Sequence, residues 1–376
     1  MNKTLTTVMH LQNESFVFLT SNQKCRQHPD MTPFLGTAYS LVTILGLLGN
    51  ISLIYVICRQ KERGNVTHIL IANLAFSDVL VCAFCLPFTA VYTVMDYWVF
   101  GLGLCKITNF LQCASVTVSV LILVLIAFER YQLILHPTGW KPSVLQAYAA
   151  VLLVWIIASL LAFPLASSMV LTDTQNKNIS KVIGFLADKS VCVESWSSNQ
   201  QLVAYTISLQ LLQYIVPLCF ILGCYLRISV HLKHRGAMFG RSDNHMRRVN
   251  LMFVTMVGAF AVCWLPFHIF NIIVDWQHQL IPVCYHNLIF SLCHLLAMIS
   301  TCVNPVIYGL LNSNVKREVK ALVQNCTGRK PDTRAAVEEL EKYPLSVKQN
   351  VTLPGSPSIY LEEGTFLGHT VSTEEH

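Results

Sequence analysis

Between Cys105 and Tyr131 the chain reads C-K-I-T-N-F-L-Q-C-A-S-V-T-V-S-V-L-I-L-V-L-I-A-F-E-R-Y. An apolar run of this length reads as a membrane-crossing helix. At about 1.5 Å per residue it extends over about 40 Å, more than the roughly 30 Å of hydrocarbon, so it is expected to tilt. Cys105 opens the run, Gln112 follows two turns later, and Glu129-Arg130-Tyr131 closes it. One element thus joins a cysteine suited to an oxidising compartment, a polar side chain at ligand depth, and a charged pair at the opposite face. That is the layout of a helix that carries a signal.

Composition agrees with the membrane. Hydrophobic residues make up 53% of the 376 and charged residues only 12%, about half the charge fraction of a soluble chain. The net charge of +6 invites a nucleic-acid partner, but the bases cluster beside apolar spans, as the positive-inside rule requires, so no nucleic acid is expected. Residues Met1 to Asp30 are polar and hold no apolar core of a signal peptide, so the first span is expected to act as its own anchor.

The pattern predicts an all-α fold, a seven-transmembrane helical bundle over residues 37–311. The spans are placed at Thr37–Cys58, Val66–Val94, Leu102–Leu135, Val144–Ser168, Gln200–Leu232, Met246–Trp276 and Ile281–Leu311, with a loop at Met169–Asn199. Lys and Arg crowd the connections after spans one, three and five, including Arg59, Lys61, Arg63, Lys141, Lys233, Arg235, Arg241, Arg247 and Arg248. The amino terminus is therefore expected outside and the carboxyl terminus in the cytosol. Residues 1–36 form an outer tail in which Asn2 and Asn13 head glycosylation sequons, joined by Asn178 in the outer loop. The sequons at Asn65, Asn325 and Asn350 fall inside and should be silent.

Beyond the seventh span, residues 312–326 place Val315, Val319, Leu322 and Val323 on one helical face and Lys316, Arg317 and Lys320 on the other. A short amphipathic eighth helix on the inner membrane face fits, in contact with membrane lipid and with Cys326 set for palmitoylation; a solvated helix with an idle cysteine is the plainer reading. Residues 327–376 are acidic and rich in Ser and Thr, and are expected to form a disordered cytosolic tail with Ser356, Ser358, Ser372 and Thr373 as candidate phosphorylation sites.

Ionisable groups inside spans mark function. Asp78 lies mid-span, too deep to reach either interface, with Asn50, Ser119, Ser300 and Asn304 as expected partners. Two readings fit: an allosteric Na⁺ pocket of Asp78, Ser119, Ser300 and Asn304, or a protonated Asp that only packs. No other cofactor is expected. At the inner face an adjacent acid can hold the Arg130 guanidinium until a partner competes for it, which is how a switch is built. Pro217, Pro266 and Pro305 supply weak points about which helix ends swing, and Trp264 is a bulky lever beside Pro266.

These residues together resemble the rhodopsin-like G-protein-coupled receptors: Asn50, Leu74-Ala75-x-x-Asp78, Cys105 with Cys192, Glu129-Arg130-Tyr131, Trp155, Pro217 with Tyr225, Cys263-Trp264-Leu265-Pro266 and Asn304-Pro305-Val306-Ile307-Tyr308. The resemblance runs through all seven spans in order, over about residues 37–325. It implies a multi-pass plasma-membrane receptor, not an enzyme, that engages a heterotrimeric G protein, with arrestin meeting a phosphorylated tail. Two departures stand out: Glu129 replaces the commoner Asp, and Met246 and Arg247 occupy the place where many members carry an acid facing Arg130. An ionic lock between those helices is therefore not expected.

Gln112 stands where amine receptors carry an acid, and the last span has no lysine for a retinal Schiff base. What is left is a polar pocket with Asp96, Asp188, Glu194 and Asp275 around its mouth, suited to a basic ligand; for the loop acids, solvated charge is the plainer reading. Several stretches, among them Thr93-Val94-Met95-Asp96-Tyr97-Trp98, Phe185-Leu186-Ala187-Asp188-Lys189 and Cys293-His294-Leu295-Leu296-Ala297-Met298, resemble the receptors for neuropeptide Y, peptide YY and pancreatic polypeptide, above all the branch preferring the last. The resemblance implies an amidated peptide hormone ending in Arg-Tyr. Asp275 and Asn271 then receive the Arg, while Gln112, Cys85, Thr89 and His294 surround the terminal Tyr-amide. An amide suits this pocket, because a free carboxylate would be a buried charge with no cation to meet it. His294 as a packed, neutral histidine remains the alternative.

Four cysteines are placed outside, Cys25, Cys105, Cys192 and Cys284, and these allow three pairings. The family implies Cys105–Cys192, which leaves Cys25–Cys284. It also implies that peptide binding favours a rearrangement around Trp264 and Pro266, freeing Arg130 for an inhibitory-class G protein that lowers cyclic AMP; Tyr225, Asn304, Pro305 and Tyr308 belong to the same switch. Rival readings are a receptor for another amidated, Arg-containing neuropeptide and, from a different class, a seven-span transporter or channel. The chain shows no half-repeat of the transporter kind.

Overall fold

The computed structural model describes residues 31–59, 65–95, 97–173, 190–238, 244–276 and 283–311, all within one compact unit. Among them seven helices are long and apolar enough to cross a bilayer. They are α1 (Thr32–Arg59), α2 (Val66–Met95), α3 (Gly101–Leu135), α4 (Val144–Ser168), α5 (Asn199–Gln210, carried on by Val216–Met238), α6 (Asn244–Trp276) and α7 (Val283–Leu311). Each expected span finds its helix, with ends shifted by up to six residues. The eighth helix and Cys326 lie outside the described residues, as do Cys25, Asp96, Asp188, Asn2, Asn13 and Asn178.

Burial follows the sequence pattern. In α1 the buried residues are Leu35, Tyr39, Val42, Gly46, Asn50, Leu53, Val56 and Ile57, a single stripe at helical spacing. The most apolar stretch of α3 is 67% buried and that of α4 only 22%, so α3 is the central post and α4 a peripheral one. Helix α4 keeps Ala147, Val151, Val154, Ala158 and Ala162 against the bundle and leaves Leu152, Leu160 and Phe163 exposed, as lipid-facing residues should be. Small residues let backbones approach closely. A methyl group added at Gly46 would stand 2.5 Å from the Cys82 sulfur and 3.3 Å from the Thr301 hydroxyl, so this glycine sets how near α1 comes to α2 and α7.

Two details go beyond the expected helices. Both α2 and α5 widen into a single π turn, at Val81–Cys85 and Leu211–Ile215. There the Leu86 and Val216 amides reach back five residues, to the carbonyls of Val81 and Leu211. Each turn lies just before a proline, Pro87 or Pro217. A proline offers no N–H and crowds the carbonyl four residues earlier, so local widening is a natural response. Second, the stretch expected as a loop opens and closes on an antiparallel ribbon, β1 (Met169–Asp173) with β2 (Ser190–Glu194), in which Leu171 faces Cys192. Valines at 170, 191 and 193 favour extended backbone. Each strand has only five residues, too short for alternation to stand out in the sequence.

Candidate functional site

The end of the bundle where α3 begins is fixed first. A disulfide joins Cys105, in the first turns of α3, to Cys192 in β2. The Trp98 amide donates to the Ser190 carbonyl at 2.7 Å, and the Ser195 amide to the Ser168 carbonyl at 2.9 Å. The Trp98 indole N–H donates to the carbonyl of Gly101, whose φ of +76° opens α3 in a conformation that glycine tolerates best. Glu194, expected at the pocket mouth, accepts the Trp196 indole N–H at 2.8 Å.

Beneath this rim three helices meet through side chains. The Tyr39 hydroxyl of α1 donates to the Ser291 carbonyl at 3.0 Å and lies 2.9 Å from His294 Nδ1 on α7. His294 Nε2 in turn lies 2.6 Å from Gln112 Nε2 on α3. The imidazole is only 2% exposed; it stacks on Phe290, one turn away on α7, and meets the edge of Phe267 from α6. Asn271 is half-buried one turn along α6 from Phe267. Asp275 belongs to the last turn of that helix, its side chain outside the described residues, as is that of Cys284 in α7. On α2, Thr89 donates to the Cys85 carbonyl at 3.0 Å, and the fully buried Cys85 thiol contacts the Thr108 carbonyl at 3.5 Å. The chain thus brings Gln112 and His294 into direct contact, while Cys85 packs towards α3.

Aromatic rings continue inward. Phe267, Trp264 and Phe260 succeed one another along α6 at centroid spacings of 5.9 and 5.8 Å. The Trp264 indole N–H donates to the Ser300 hydroxyl at 3.1 Å. Below it lies a cavity of about 20 Å³ lined by Asp78, Ser119, Trp264, Ser300, Thr301 and Asn304 among others. That exceeds the roughly 10–15 Å³ a cavity needs to admit one water. Asn304 donates to the Asp78 carboxylate at 2.9 Å, whereas Ser119 pairs with Ser77 at 2.8 Å. Asn50 does not join them: its amide donates to the Gly46 and Thr301 carbonyls, both at 2.9 Å, tying α1 to α7. A carboxylate with hydroxyl and amide oxygens is a hard donor set, so these residues fit a Na⁺ ion.

At the opposite end of α3 Glu129 is 5% exposed and lies 3.7 Å from the Arg130 guanidinium. Both groups also meet Thr67 of α2. The Thr67 hydroxyl donates to the Glu129 carboxylate, at 2.7 and 2.9 Å from its two oxygens, and accepts from Arg130. The guanidinium carbon sits 5.2 Å from the centre of the Phe253 ring of α6, a cation–π distance. Arg247 donates to the Leu232 carbonyl at 3.3 Å. Tyr225 is buried on α5, its hydroxyl without a hydrogen-bond partner among the described residues, and Tyr308 is buried on α7. The Tyr131 ring lies 6.0 Å from that of His136.

A disulfide at one end, a buried Gln112–His294 contact and, at the opposite end, an arginine held by Glu129, Thr67 and Phe253 lie in succession along α3. The sequence profile of the 7 transmembrane receptor (rhodopsin family) matches residues 49–308. The chain belongs to this family. It is similar to neuropeptide Y receptor type 4-2 of Homo sapiens, 52% identical over 340 residues that cover 89% of each chain. It is also similar to neuropeptide Y receptor type 4 of Mus musculus, 51% identical over 338 residues covering 88% of each. A third relative, neuropeptide Y receptor type 6 of Oryctolagus cuniculus, is 47% identical over 296 residues, 77% of this chain and 80% of its own. The chain is a multi-pass membrane receptor, not an enzyme.

Sequence reasoning missed three residues of this receptor. Tyr39 looked like span filler; nothing in its neighbours points to an imidazole 255 positions away. Phe253 is one apolar residue among many. Thr67 did leave a signal, since Asn65-Val66-Thr67 reads as a sequon. In the fold Asn65 is instead the N-cap of α2, its side-chain oxygen accepting the Thr67 amide at 3.0 Å, as an Asn just before an apolar run can do.

Proposed function

We propose that this receptor binds peptides of the neuropeptide Y, peptide YY and pancreatic polypeptide group through an amidated Arg-Tyr terminus, with pancreatic polypeptide preferred. The observation that carries this reading is the 52% identity, across 89% of both chains, to a protein named as a neuropeptide Y receptor. The polar Gln112–His294 contact in an aromatic surround supports it, since an uncharged Tyr-amide needs hydrogen bonds but no counter-ion. Asp275 and Asn271 receive the penultimate Arg, with Asp96 and Glu194 adding negative charge at the mouth. Gln112, Thr89, His294 and Cys85 surround the terminal residue.

Binding then shifts a two-state bundle. Contacts at the pocket press on the aromatic column from Phe267 to Trp264, and α6 swings about Pro266. Arg130 leaves Glu129, Thr67 and Phe253 to meet the carboxy-terminal helix of an inhibitory-class G protein, which lowers cyclic AMP. Asp78, Ser119, Ser300 and Asn304 would hold a Na⁺ ion, whose positive charge would offset the buried carboxylate and favour the resting arrangement. The amino terminus is extracellular, with glycans at Asn2, Asn13 and Asn178 and a second disulfide between Cys25 and Cys284. The cytosolic side carries the Cys326 palmitoyl group and an arrestin-binding tail.

Radioligand binding tests the reading. Asp275→Ala is expected to weaken an amidated pancreatic polypeptide by about 100-fold or more, the scale of a lost charge-assisted contact, with surface expression unchanged. Unaltered affinity would remove Asp275 from the site.

A further inference from the structure

We infer that Gln210 and Tyr214 of α5 grip α6 on the two sides of Pro266, giving the hinge a fixed outer arm and a latched inner one, with Tyr214 as the positioning residue that keeps the latch closed at rest. The inference rests on the two-state reading above, in which α6 swings about Pro266, and adds the contacts that set where it bends and how readily.

The bracket is built on the π turn of α5. Gln213 lies in that turn, and its side-chain amide donates to the Thr117 hydroxyl at 2.7 Å. This fixes the turn to α3, the most buried of the seven spans. Two neighbours of Gln213 bond to α6 instead. The Gln210 amide donates to the His268 carbonyl at 3.2 Å, and the Tyr214 hydroxyl donates to the Ala261 carbonyl at 2.7 Å. The Tyr214 ring also lies 4.3 Å from the His268 imidazole, so this one side chain spans the hinge. Gln210, Gln213 and His268 are all buried. Pro266 stands between the two carbonyls and has no N–H to bond Val262. The bracketed segment is therefore the one whose own helical ladder is weakest.

Distance from the pivot decides which contact yields. At about 1.5 Å per residue, Ala261 is about 7 Å along the axis from Pro266, and Asn244, where α6 begins, about 33 Å. A bend of about 20°, the size of a sharp helix kink, carries Asn244 about 11 Å and Ala261 about 2.5 Å. A hydrogen bond tolerates about 0.5 Å between its usual limits, so the Tyr214–Ala261 bond is lost in the swung state. His268 lies beyond the pivot and stays with the outer half, so its bond from Gln210 survives. A bond kept in one state and lost in the other biases a two-state equilibrium. Tyr214 thus opposes the swing, whereas Gln210 gives the outer half a seat against which the rest can lever.

Nucleotide exchange on an inhibitory G protein, with equal amounts of receptor at the surface, separates the two bonds. Tyr214→Phe keeps the ring against His268 and deletes only the donor. Ligand-independent exchange is expected to rise about threefold to tenfold, the range for one hydrogen bond between membrane helices. Gln210→Met keeps the side chain's length and deletes the other donor. There, exchange driven by saturating amidated pancreatic polypeptide is expected to fall by a similar factor, with no rise in the basal rate. Basal exchange in Tyr214→Phe at or below the wild-type level removes the latch. A basal rise in both variants would make the two bonds ordinary packing between α5 and α6, and overturns the bracket as well. Basal exchange needs no ligand, so failure of the peptide reading leaves the Tyr214 result standing; a wild-type receptor that drives no exchange in any condition overturns both. Where Tyr214→Phe reaches the surface poorly, the direction of the Gln210→Met effect decides.

Discussion

Thr67 of α2 and Glu129 of α3 share a single hydroxyl proton at 2.7 and 2.9 Å, and the same hydroxyl accepts from Arg130. The inner charged pair is thus closed off by α2, with α6 contributing the Phe253 ring rather than an acid. This answers the departure in sequence at Met246 and Arg247. Restraint on the guanidinium comes from hydrogen bonds beside it instead of an ion pair across the bundle.

Removing that hydroxyl is expected to loosen the switch. Thr67→Ala leaves the buried Glu129 carboxylate and the Arg130 N–H short of a partner, a loss of about 1–3 kcal/mol from the resting state. Ligand-independent nucleotide exchange on an added G protein should rise about tenfold. Basal exchange at the wild-type level, with equal surface expression, would show that Thr67 does not restrain Arg130.

The packing of α1 offers a separate check. Gly46→Ala sets a methyl group against the Cys82 sulfur and should cost about 1–3 kcal/mol through overpacking. The thermal midpoint of the detergent-solubilised receptor is expected to fall. Adding Cys82→Ala makes room and should restore part of the loss, a coupling that a double-mutant cycle measures. Additive losses would place the strain elsewhere.

Most of this architecture was legible in the sequence, because membrane helices are written as long apolar runs and each charge within them is conspicuous. All seven spans and the Glu129–Arg130 pair were readable in that way, whereas the Cys105–Cys192 pairing was implied by the family resemblance, the sequence itself leaving three pairings open. The π turns at Val81–Cys85 and Leu211–Ile215 were not: proline announces a disturbance, but whether the helix kinks or widens depends on its neighbours. Asn50 was expected beside Asp78 and instead bonds backbone carbonyls of α1 and α7. Sequence shows which polar groups share a depth, and tertiary packing decides their pairs. Tyr39 left no trace for the same reason, and Thr67 stood out only as part of the Asn65 sequon, since each bonds to a partner on another helix.

His294 can be separated into its shape and its hydrogen bonds. His294→Phe keeps a ring to stack on Phe290 while deleting both nitrogens. Binding of an amidated peptide should weaken about 10- to 100-fold, as when a hydrogen-bonded pair is broken in a buried site. Saturation binding on intact cells reads this directly. Full affinity would make His294 a packing residue and no more.

Sodium sensitivity probes the cavity below Trp264. If Asp78 holds the ion, raising NaCl at constant ionic strength lowers agonist affinity in the wild type by a differential affinity for the two states. Asp78→Asn should abolish the dependence. A sodium effect that persists in that variant would assign the ion elsewhere.

The central claim is that a peptide gripped at the outer rim is felt at Arg130 on the inner one. The most direct measurement is binding of an amidated pancreatic polypeptide to membranes holding this receptor and an inhibitory G protein, with and without a non-hydrolysable guanine nucleotide. The account predicts high-affinity binding that the nucleotide weakens. A correctly folded receptor at the cell surface that binds no such peptide, or binds it with complete indifference to guanine nucleotide, would contradict it.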